Sequence, residues 1–260
     1  MAIFLQEIKR NRLMVLLWAV CVGTVLATSV VLYPQMASQV DQVNEAFANM
    51  GSFTSAFGMD KVNFGEFAGY FAVECGNSVS IGGALFAAIL GIFTISKEEK
   101  DQTAEFLLTH PVSRKRVLTE KLGALLVNIV IFNVILILFA LLSIVVIGES
   151  IDANVFCLLF ASLLMMDLEI AVLSFGISAF LRSSGMGIGL GLALMFYFMN
   201  IISNITEDAK FLKYITPFGY TEATTIVVDK AIPVEYLWPG IGLMVLAVLC
   251  AFAYYPKKDI

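Results

Sequence analysis

Residues 123–147 read GALLVNIVIFNVILILFALLSIVVI and contain no Asp, Glu, Lys or Arg. A helix of about 20 such residues crosses the hydrocarbon core of a bilayer, so this stretch predicts a membrane-spanning helix. Five further windows have the same apolar character, which makes six predicted spans. The six are Leu13–Leu32, Phe67–Ile95, Gly123–Ile147, Val155–Leu181, Met186–Ile205 and Tyr236–Tyr255.

The composition of the whole chain favours a polytopic membrane protein. Of its 260 residues, 59% are apolar and 14% are charged, against about 45–50% and about 25% in soluble domains. These values exclude a disordered protein, a nucleic-acid-binding protein and a secreted disulfide scaffold. Cys21, Cys75, Cys157 and Cys250 lie far apart in apolar runs, and we interpret them as packing residues. Because His110 is the only histidine, one chain offers no His-based metal site.

The distribution of basic residues predicts the orientation of the spans. If both termini are cytoplasmic, twelve Lys and Arg residues fall on the inner side and four on the outer side, in agreement with the positive-inside rule. The four outer residues are Lys61, Lys210, Lys213 and Lys230.

Three connections between the spans are long. Segments 34–66 and 206–235 are predicted to be extracellular, and segment 96–122 is predicted to be cytosolic. Long connections in compact proteins usually carry a function. Apolar residues such as Phe53 and Phe218 among polar ones predict that both outer connections form short helices over the outer mouth. Because no Pro/Ser-rich linker occurs, we predict one transmembrane domain over residues 1–260.

The cytosolic connection 96–122, here called the inner segment, is strongly charged. Helix formers precede Pro111, which lacks an amide donor and ends a helix. Ser113 is suited to cap a second helix that starts within 114–121. This pattern of helix, break and helix suits either a solvated loop or a docking element for a soluble partner, and periodicity leaves both interpretations open.

The inner segment also carries a motif that resembles the signature of ABC-2 type permeases. The motif consists of Glu98-Glu99, Thr103-x-Glu105-x-Leu107-Leu108, Pro111-Val112-Ser113-Arg114 and Lys121, with Gln102 where the family commonly has glycine. Residues 212–218 (LKYITPF) are similar to the family's outer segment before its last span. The resemblance implies an all-α fold with ABC-2 (type V exporter-like) architecture, an amphipathic elbow helix over 1–12 and a coupling helix in the inner segment. It implies contact with an ATPase for Glu98, Glu99, Thr103, Glu105, Phe106, Leu107, Leu108, Pro111 and Arg114.

The resemblance further implies a set of partners. The chain has no Gly-x-x-x-x-Gly-Lys-Ser/Thr loop, so we expect no cofactor here and place ATP and Mg in a separate ABC ATPase subunit, present in two copies. Two ATPase subunits imply two permeases, as a homodimer or as a pair with a related permease. The expected location is the plasma membrane of a bacterial cell, with the lipid bilayer as surroundings and no nucleic-acid partner.

Polar residues within the apolar spans are candidates for a transport pathway. Glu74 and Asn77 are three residues apart, so they share a face near the outer end of the second span. Asp167 and Glu169 lie near the middle of the fourth span, where a charge costs about 2.5–3.5 kcal/mol, and they point about 200° apart. Asn200 lies near the outer end of the fifth span. For each carboxylate, a structural hydrogen bond and a transport role both stay open, and no residue set predicts a catalytic or metal site.

Four alternating glycines open the fifth span. Gly185 and Gly189, like Gly187 and Gly191, have the small-xxx-small spacing that lets helix backbones approach closely. The spacing does not match a dinucleotide-binding fingerprint and follows no strand. We therefore predict a role in helix packing.

The leading functional hypothesis is the permease subunit of an ATP-driven exporter. Spans rich in Met and Phe and poor in charge favour a hydrophobic or amphipathic cargo, such as a peptide, an antimicrobial or a drug. A sodium-type ion exporter is the alternative, because of the carboxylates within the spans. An ion-coupled secondary transporter is less favoured, since no inverted repeat is evident. An intramembrane enzyme is disfavoured because Asp167 is the sole mid-membrane aspartate and no histidine lies at that depth.

Overall fold

The protein is described by a computed structural model that covers residues 2–40, 50–100, 113–181 and 185–258, without the side chains of 98–100. Within these residues the chain forms α-helices joined by short 3-10 turns, and no strand. The helices are α1 (Ala2–Ala37), α2 (Ser52–Ala56), α3 (Phe67–Glu74), α4 (Ser80–Lys100), α5 (Arg114–Ile147), α6 (Ala153–Ser178), α7 (Met186–Ile205), α8 (Ala223–Asp229) and α9 (Leu237–Tyr254). A π turn, Cys75–Val79, joins α3 to α4.

The prediction of an all-α protein with six spans is confirmed. Six helical stretches in the described part of the chain are long and apolar enough to cross a membrane, and each of them overlaps one of the six predicted windows. The second of these stretches is α3, the π turn and α4 together. The helix α5 begins where its cap predicts, because the Ser113 hydroxyl accepts a hydrogen bond from the Arg116 amide at 3.3 Å.

The first helix differs from the predicted separate elbow over 1–12. α1 continues without a break from Ala2 to Ala37, so residues 2–12 are the first turns of the first span. No Gly or Pro occurs before Gly23, hence nothing in the local sequence interrupts the helical hydrogen bonds. With 36 residues the helix is about 54 Å long, which exceeds the hydrocarbon core of about 30 Å. The extra length extends beyond the membrane interior.

The helices α4 and α6 form the centre of the bundle. Phe86 of α4 and Phe175 of α6 are fully buried, and the Phe86 ring stacks on Phe132 of α5 with centroids 4.4 Å apart. α1 packs along α5, α7 along α4, and α9 along α6. By contrast, α7 and α9 leave most of their apolar side chains exposed, including Phe198 and Leu249. Helices that are apolar on all sides are suited to a lipid environment.

The two predicted outer connections form short helices where they are described. The first contains α2 and the 3-10 turn Met59–Lys61, and the second contains Glu207–Tyr214, Pro217–Gly219 and α8. α2 packs against α7, and α8 packs against α3. The described residues of both connections therefore lie over the end of the bundle that we predict to be extracellular, which we call the outer end.

Candidate functional site

A small cavity lies at the outer end of the bundle, between the second span, α7 and the outer connections. Its volume is about 30 Å³, which is room for one or two water molecules. Asn77 of the π turn, Asn200 and Asn204 of α7, and Thr224 of α8 contribute to its wall. Two predicted pathway residues, Asn77 and Asn200, thus meet here although they lie on different spans. We call this site the outer cavity.

The wall of the outer cavity carries polar atoms with no hydrogen-bond partner in the described part of the chain. Asn77 is satisfied, because its side-chain amide donates to the Val73 carbonyl at 2.8 Å. Three buried oxygens, Asn200 Oδ1, Asn204 Oδ1 and Thr224 Oγ1, have no hydrogen-bond partner among the described residues. Buried polar atoms are nearly always paired with protein or water. These oxygens therefore mark a place suited to water or to a polar group of a ligand.

Close packing of backbone holds the cavity wall together. Gly76 in the π turn faces Ala223 so closely that a Cβ atom at position 76 would lie 2.8 Å from the alanine Cβ. A π turn within an α-helix is uncommon and often occurs at functional sites. Here it lies at the level of the cavity and ends at Val79. Glu74, just before the turn, is half-buried and lies outside the cavity wall.

Glu222 lies at the cavity wall and joins the two outer connections through two lysines. Its carboxylate is 2.6 Å from the Lys61 Nζ and 2.8 Å from the Lys213 Nζ. Burial of this carboxyl acts to raise its pKa, but the two lysines outweigh burial and hold the pKa below its usual value. Lys61 also donates to Thr225 at 3.3 Å. We call the three charged residues the outer latch.

Asp167 lies away from the outer cavity, in the centre of the bundle. Its carboxylate accepts a hydrogen bond from the Asn133 side-chain amide of α5 at 2.9 Å. Gly83 of α4 makes room for it, since a Cβ atom at position 83 would lie 2.6 Å from Asp167 Oδ1. That Oδ1 atom and Asn133 Oδ1 are buried without a partner in the described part of the chain.

Glu169 lies on the opposite side of α6, as the spacing of the two carboxylates predicts. Its carboxylate accepts a hydrogen bond from the Tyr220 hydroxyl at 2.8 Å, and both side chains are buried. Gly240 of α9 packs directly against this carboxylate. The predicted pathway residues therefore fall into four separate places, since Glu74 lies outside the cavity wall, and only Asn77 and Asn200 share one.

Sequence reasoning did not single out the partners of the two carboxylates. Asn133 is one of only two asparagines in an otherwise apolar span, which is a signal that could have identified it. Tyr220 follows a proline-containing turn in an outer connection and carries no such signal. Its partner Glu169 is 51 residues away in sequence.

An ion cluster joins three helices at the opposite end, which we call the inner end. Lys121 of α5 is 1% exposed, and its Nζ donates to the Glu7 carboxylate of α1 at 3.0 Å and to the Thr94 carbonyl of α4 at 2.7 Å. Arg10 binds both oxygens of Glu7, at 2.6 and 2.7 Å. Lys121 closes the family-like motif of the inner segment, yet the sequence did not indicate Glu7 as its partner. We call Glu7, Arg10 and Lys121 the inner cluster.

Most of the residues for which the sequence implies ATPase contact lie outside the described residues. These are Thr103, Glu105, Phe106, Leu107, Leu108 and Pro111, together with the side chains of Glu98 and Glu99. Arg114 is described, and it lies at the start of α5 with its guanidinium directed at the 256 and 258 carbonyls. Its contact with an ATPase stays a prediction.

Comparison with known proteins identifies the family. The protein-family model described as "ABC-2 family transporter protein" matches residues 1–259, and the chain belongs to this family. No curated protein matches the sequence. The chain is therefore a multi-pass membrane permease subunit of an ABC transporter, and ATP is hydrolysed by a partner subunit.

Proposed function

We propose that this permease subunit exports a hydrophobic or amphipathic compound, such as a peptide, an antimicrobial or a drug. The observation that carries the proposal is the outer cavity, where polar groups of the second span and of α7 converge beneath the outer connections. The outer latch holds those connections together. A closed outer end of this kind is what an exporter needs at rest, because cargo must not leak back.

The chemistry of the bundle favours an apolar cargo. Tyr197, Ile201 and Phe218 stand beside the asparagines in the cavity wall. The two carboxylates of α6 are each engaged, Asp167 by Asn133 of the neighbouring span α5 and Glu169 by Tyr220 of an outer connection. About half of the described residues around the cavity are apolar, and in sites for small ligands apolar walls bind the ligand while a few placed polar groups fix its orientation.

A second permease is proposed to pack against α7. Gly185 and Gly189 pack inside the chain, against Ile92 and Ala88. Gly187 and Gly191 face open space, since a Cβ atom added to either glycine would have no described atom within 4 Å. We propose that this open pair contacts a second copy of the chain or a related permease, since small residues let helices approach closely in lipid.

Coupling to ATP hydrolysis is proposed to enter at the inner end. The inner cluster ties α1, α4 and α5 together, and the inner segment begins within α4 and ends within α5. Movement of that segment by the ATPase would therefore move three helices at once. We propose two ATPase copies that bind ATP and Mg, in a bacterial plasma membrane with this end cytoplasmic.

Sodium-type ion export is a second candidate, and one observation favours it. Asp167 Oδ1 is buried and has no partner among the described residues, so it has capacity for a further contact. An Asp167→Asn variant keeps the size of the side chain. It should retain cargo transport if the carboxylate is structural, and lose transport if the carboxylate carries the transported ion.

The proposal is tested by reconstituting the chain together with its partner ATPase subunit into liposomes. Transport of the lipophilic dye Hoechst 33342 and of radioactive sodium is followed with ATP and with a non-hydrolysable ATP analogue. We expect ATP-dependent movement of the dye only, weakened by Asn200→Leu at the cavity wall and unchanged by Leu249→Ile on the exposed face of α9. Movement of sodium without the dye would overturn the proposed cargo class. No ATP-dependent transport of either would refute export.

A further inference from the structure

A short segment after α9 folds back across the inner end of the bundle. Residues 255–258, here called the strap, begin with the 3-10 turn Tyr255–Lys257. Tyr255 is 2% exposed and Lys258 is 5% exposed, whereas Lys257 between them is exposed. A lysine is almost never buried without specific partners. The burial of Lys258 therefore requires an explanation.

Lys258 binds the end of α6. Its Nζ donates to the Ala179 carbonyl at 3.1 Å and to the Leu181 carbonyl at 2.5 Å, just beyond the last residue of the helix, Ser178. The end of a helix carries unpaired carbonyls and a partial negative charge, so a cation is favourable there. The ammonium group thus holds the backbone that leads towards α7.

Arg114 binds the strap from the other side. Its guanidinium donates to the Lys258 carbonyl at 2.6 Å and to the Pro256 carbonyl at 3.4 Å. Arg114 is the first residue of α5 and belongs to the inner segment. The strap therefore bridges the start of α5 and the end of α6 by charge-assisted hydrogen bonds, which are stronger than neutral ones.

This bridge connects the two ends of the proposed coupling path. The next described residue after Leu181 is Gly185, which packs against Leu181 and Ile92 and directly precedes α7. At its outer end α7 supplies Asn200 and Asn204 to the outer cavity. A rigid helix lies between these places, so a displacement at its inner end is carried to the cavity wall.

We infer that the strap transmits movement of the inner segment to α7, with Arg114 and Lys258 as positioning residues. The inference rests on the proposed function, because it assumes that an ATPase moves the inner segment. Removing the Lys258 ammonium should separate the end of α6 from the start of α5. The outer cavity should then stop responding to ATP, although the ATPase still binds.

The test measures the outer cavity directly. Asn204 donates to the Ala56 carbonyl at 3.4 Å, so cysteines at positions 56 and 204, in a chain whose native cysteines are replaced, report closure by disulfide formation. The complex with the ATPase is compared with and without ATP for the parent chain, Lys258→Met, Lys258→Arg and the matched control Lys257→Met. Association with the ATPase and thermal stability are measured for each variant.

The expected result is an ATP-dependent fall in the crosslinking rate in the parent chain and in Lys257→Met. In Lys258→Met this change should shrink about tenfold, as loss of hydrogen bonds to a charged group predicts, and Lys258→Arg should restore it. If Lys258→Met does not fold, Arg114→Gln at the half-buried partner gives the same test. A full ATP response in a folded Lys258→Met or Arg114→Gln complex would overturn the inference alone. A parent chain that never binds the ATPase, or whose cavity never responds to ATP, would overturn the proposed function and the inference together.

Discussion

Replacing Lys121 by methionine should destabilise the protein, whereas removing the exposed charge of Lys115 on the same helix should not. The change keeps most of the side-chain volume and removes the ammonium group. It deletes a 3.0 Å contact with Glu7 and a 2.7 Å hydrogen bond to the Thr94 carbonyl. Since Lys121 is 1% exposed, water cannot easily replace either contact.

The loss in free energy of unfolding depends on which charged group stays buried after the change. Removing one member of a buried ion pair costs about 3–5 kcal/mol, because the other charge is left without compensation. Arg10 still neutralises Glu7 in the variant, so the lower end, about 3 kcal/mol, is expected. At about 2–4 °C for each kcal/mol in a chain of this size, the midpoint of thermal unfolding should fall by about 6–12 °C.

The assay is thermal unfolding of the purified chain in one detergent, followed by tryptophan fluorescence. Lys115→Met is the matched control, because Lys115 lies on the same helix and is exposed. A double variant with Glu7→Gln should be less destabilised than the sum of the two single changes, since both act on one contact. Equal unfolding midpoints for Lys121→Met and Lys115→Met would refute the reasoning.

Three further predictions concern other parts of the molecule. Gly83→Ala places a Cβ atom 2.6 Å from Asp167 Oδ1 and should lower the free energy of unfolding by about 1–3 kcal/mol. Gly187→Ala, where the added Cβ atom lies in open space, should not lower it. Equal effects of the two changes in the same unfolding assay would contradict this prediction. The two lysines lower the pKa of Glu222, so the outer latch should contribute fully to stability above the usual carboxyl pKa of 4.5 and lose this contribution as the pH falls below that value. Protease cleavage of the outer connections should therefore rise at acidic pH in the parent chain. In Glu222→Gln the cleavage should be pH-independent. Leu107→Asp should leave membrane insertion intact and abolish cargo-stimulated ATP hydrolysis by the complex, and unchanged stimulation would show that this residue does not dock the ATPase.

Several features of this protein follow from the sequence because they depend only on short stretches of the chain. A spanning helix needs about 20 apolar residues, so the six spans could be read from the windows alone. The Ser113 cap depends on contacts within three residues. The opposite directions of Asp167 and Glu169 follow from 100° of rotation per residue, and their separate partners agree with it.

The apolar windows did not mark the full extent of α1, and only the tertiary structure decided which residues line the outer cavity. A sequence of apolar windows marks where the membrane lies, but it does not mark where a helix ends, and α1 runs past its window to Ala2. Asn77 and Asn200 were both candidates by sequence, yet only packing of the second span against α7 brings them to one cavity.

The sequence by itself determined the class of fold, the number of spans and the family, because apolar length and short motifs are local properties of the chain. Only the tertiary structure decided which groups the buried charged side chains contact. Glu7 and Lys121 are 114 residues apart, and Lys258 and Ala179 are 79 apart. Helix packing determines the partners at such separations, because an apolar helix can turn any of several faces to its neighbours. Each buried charge is stable only on a face where a complementary group contacts it.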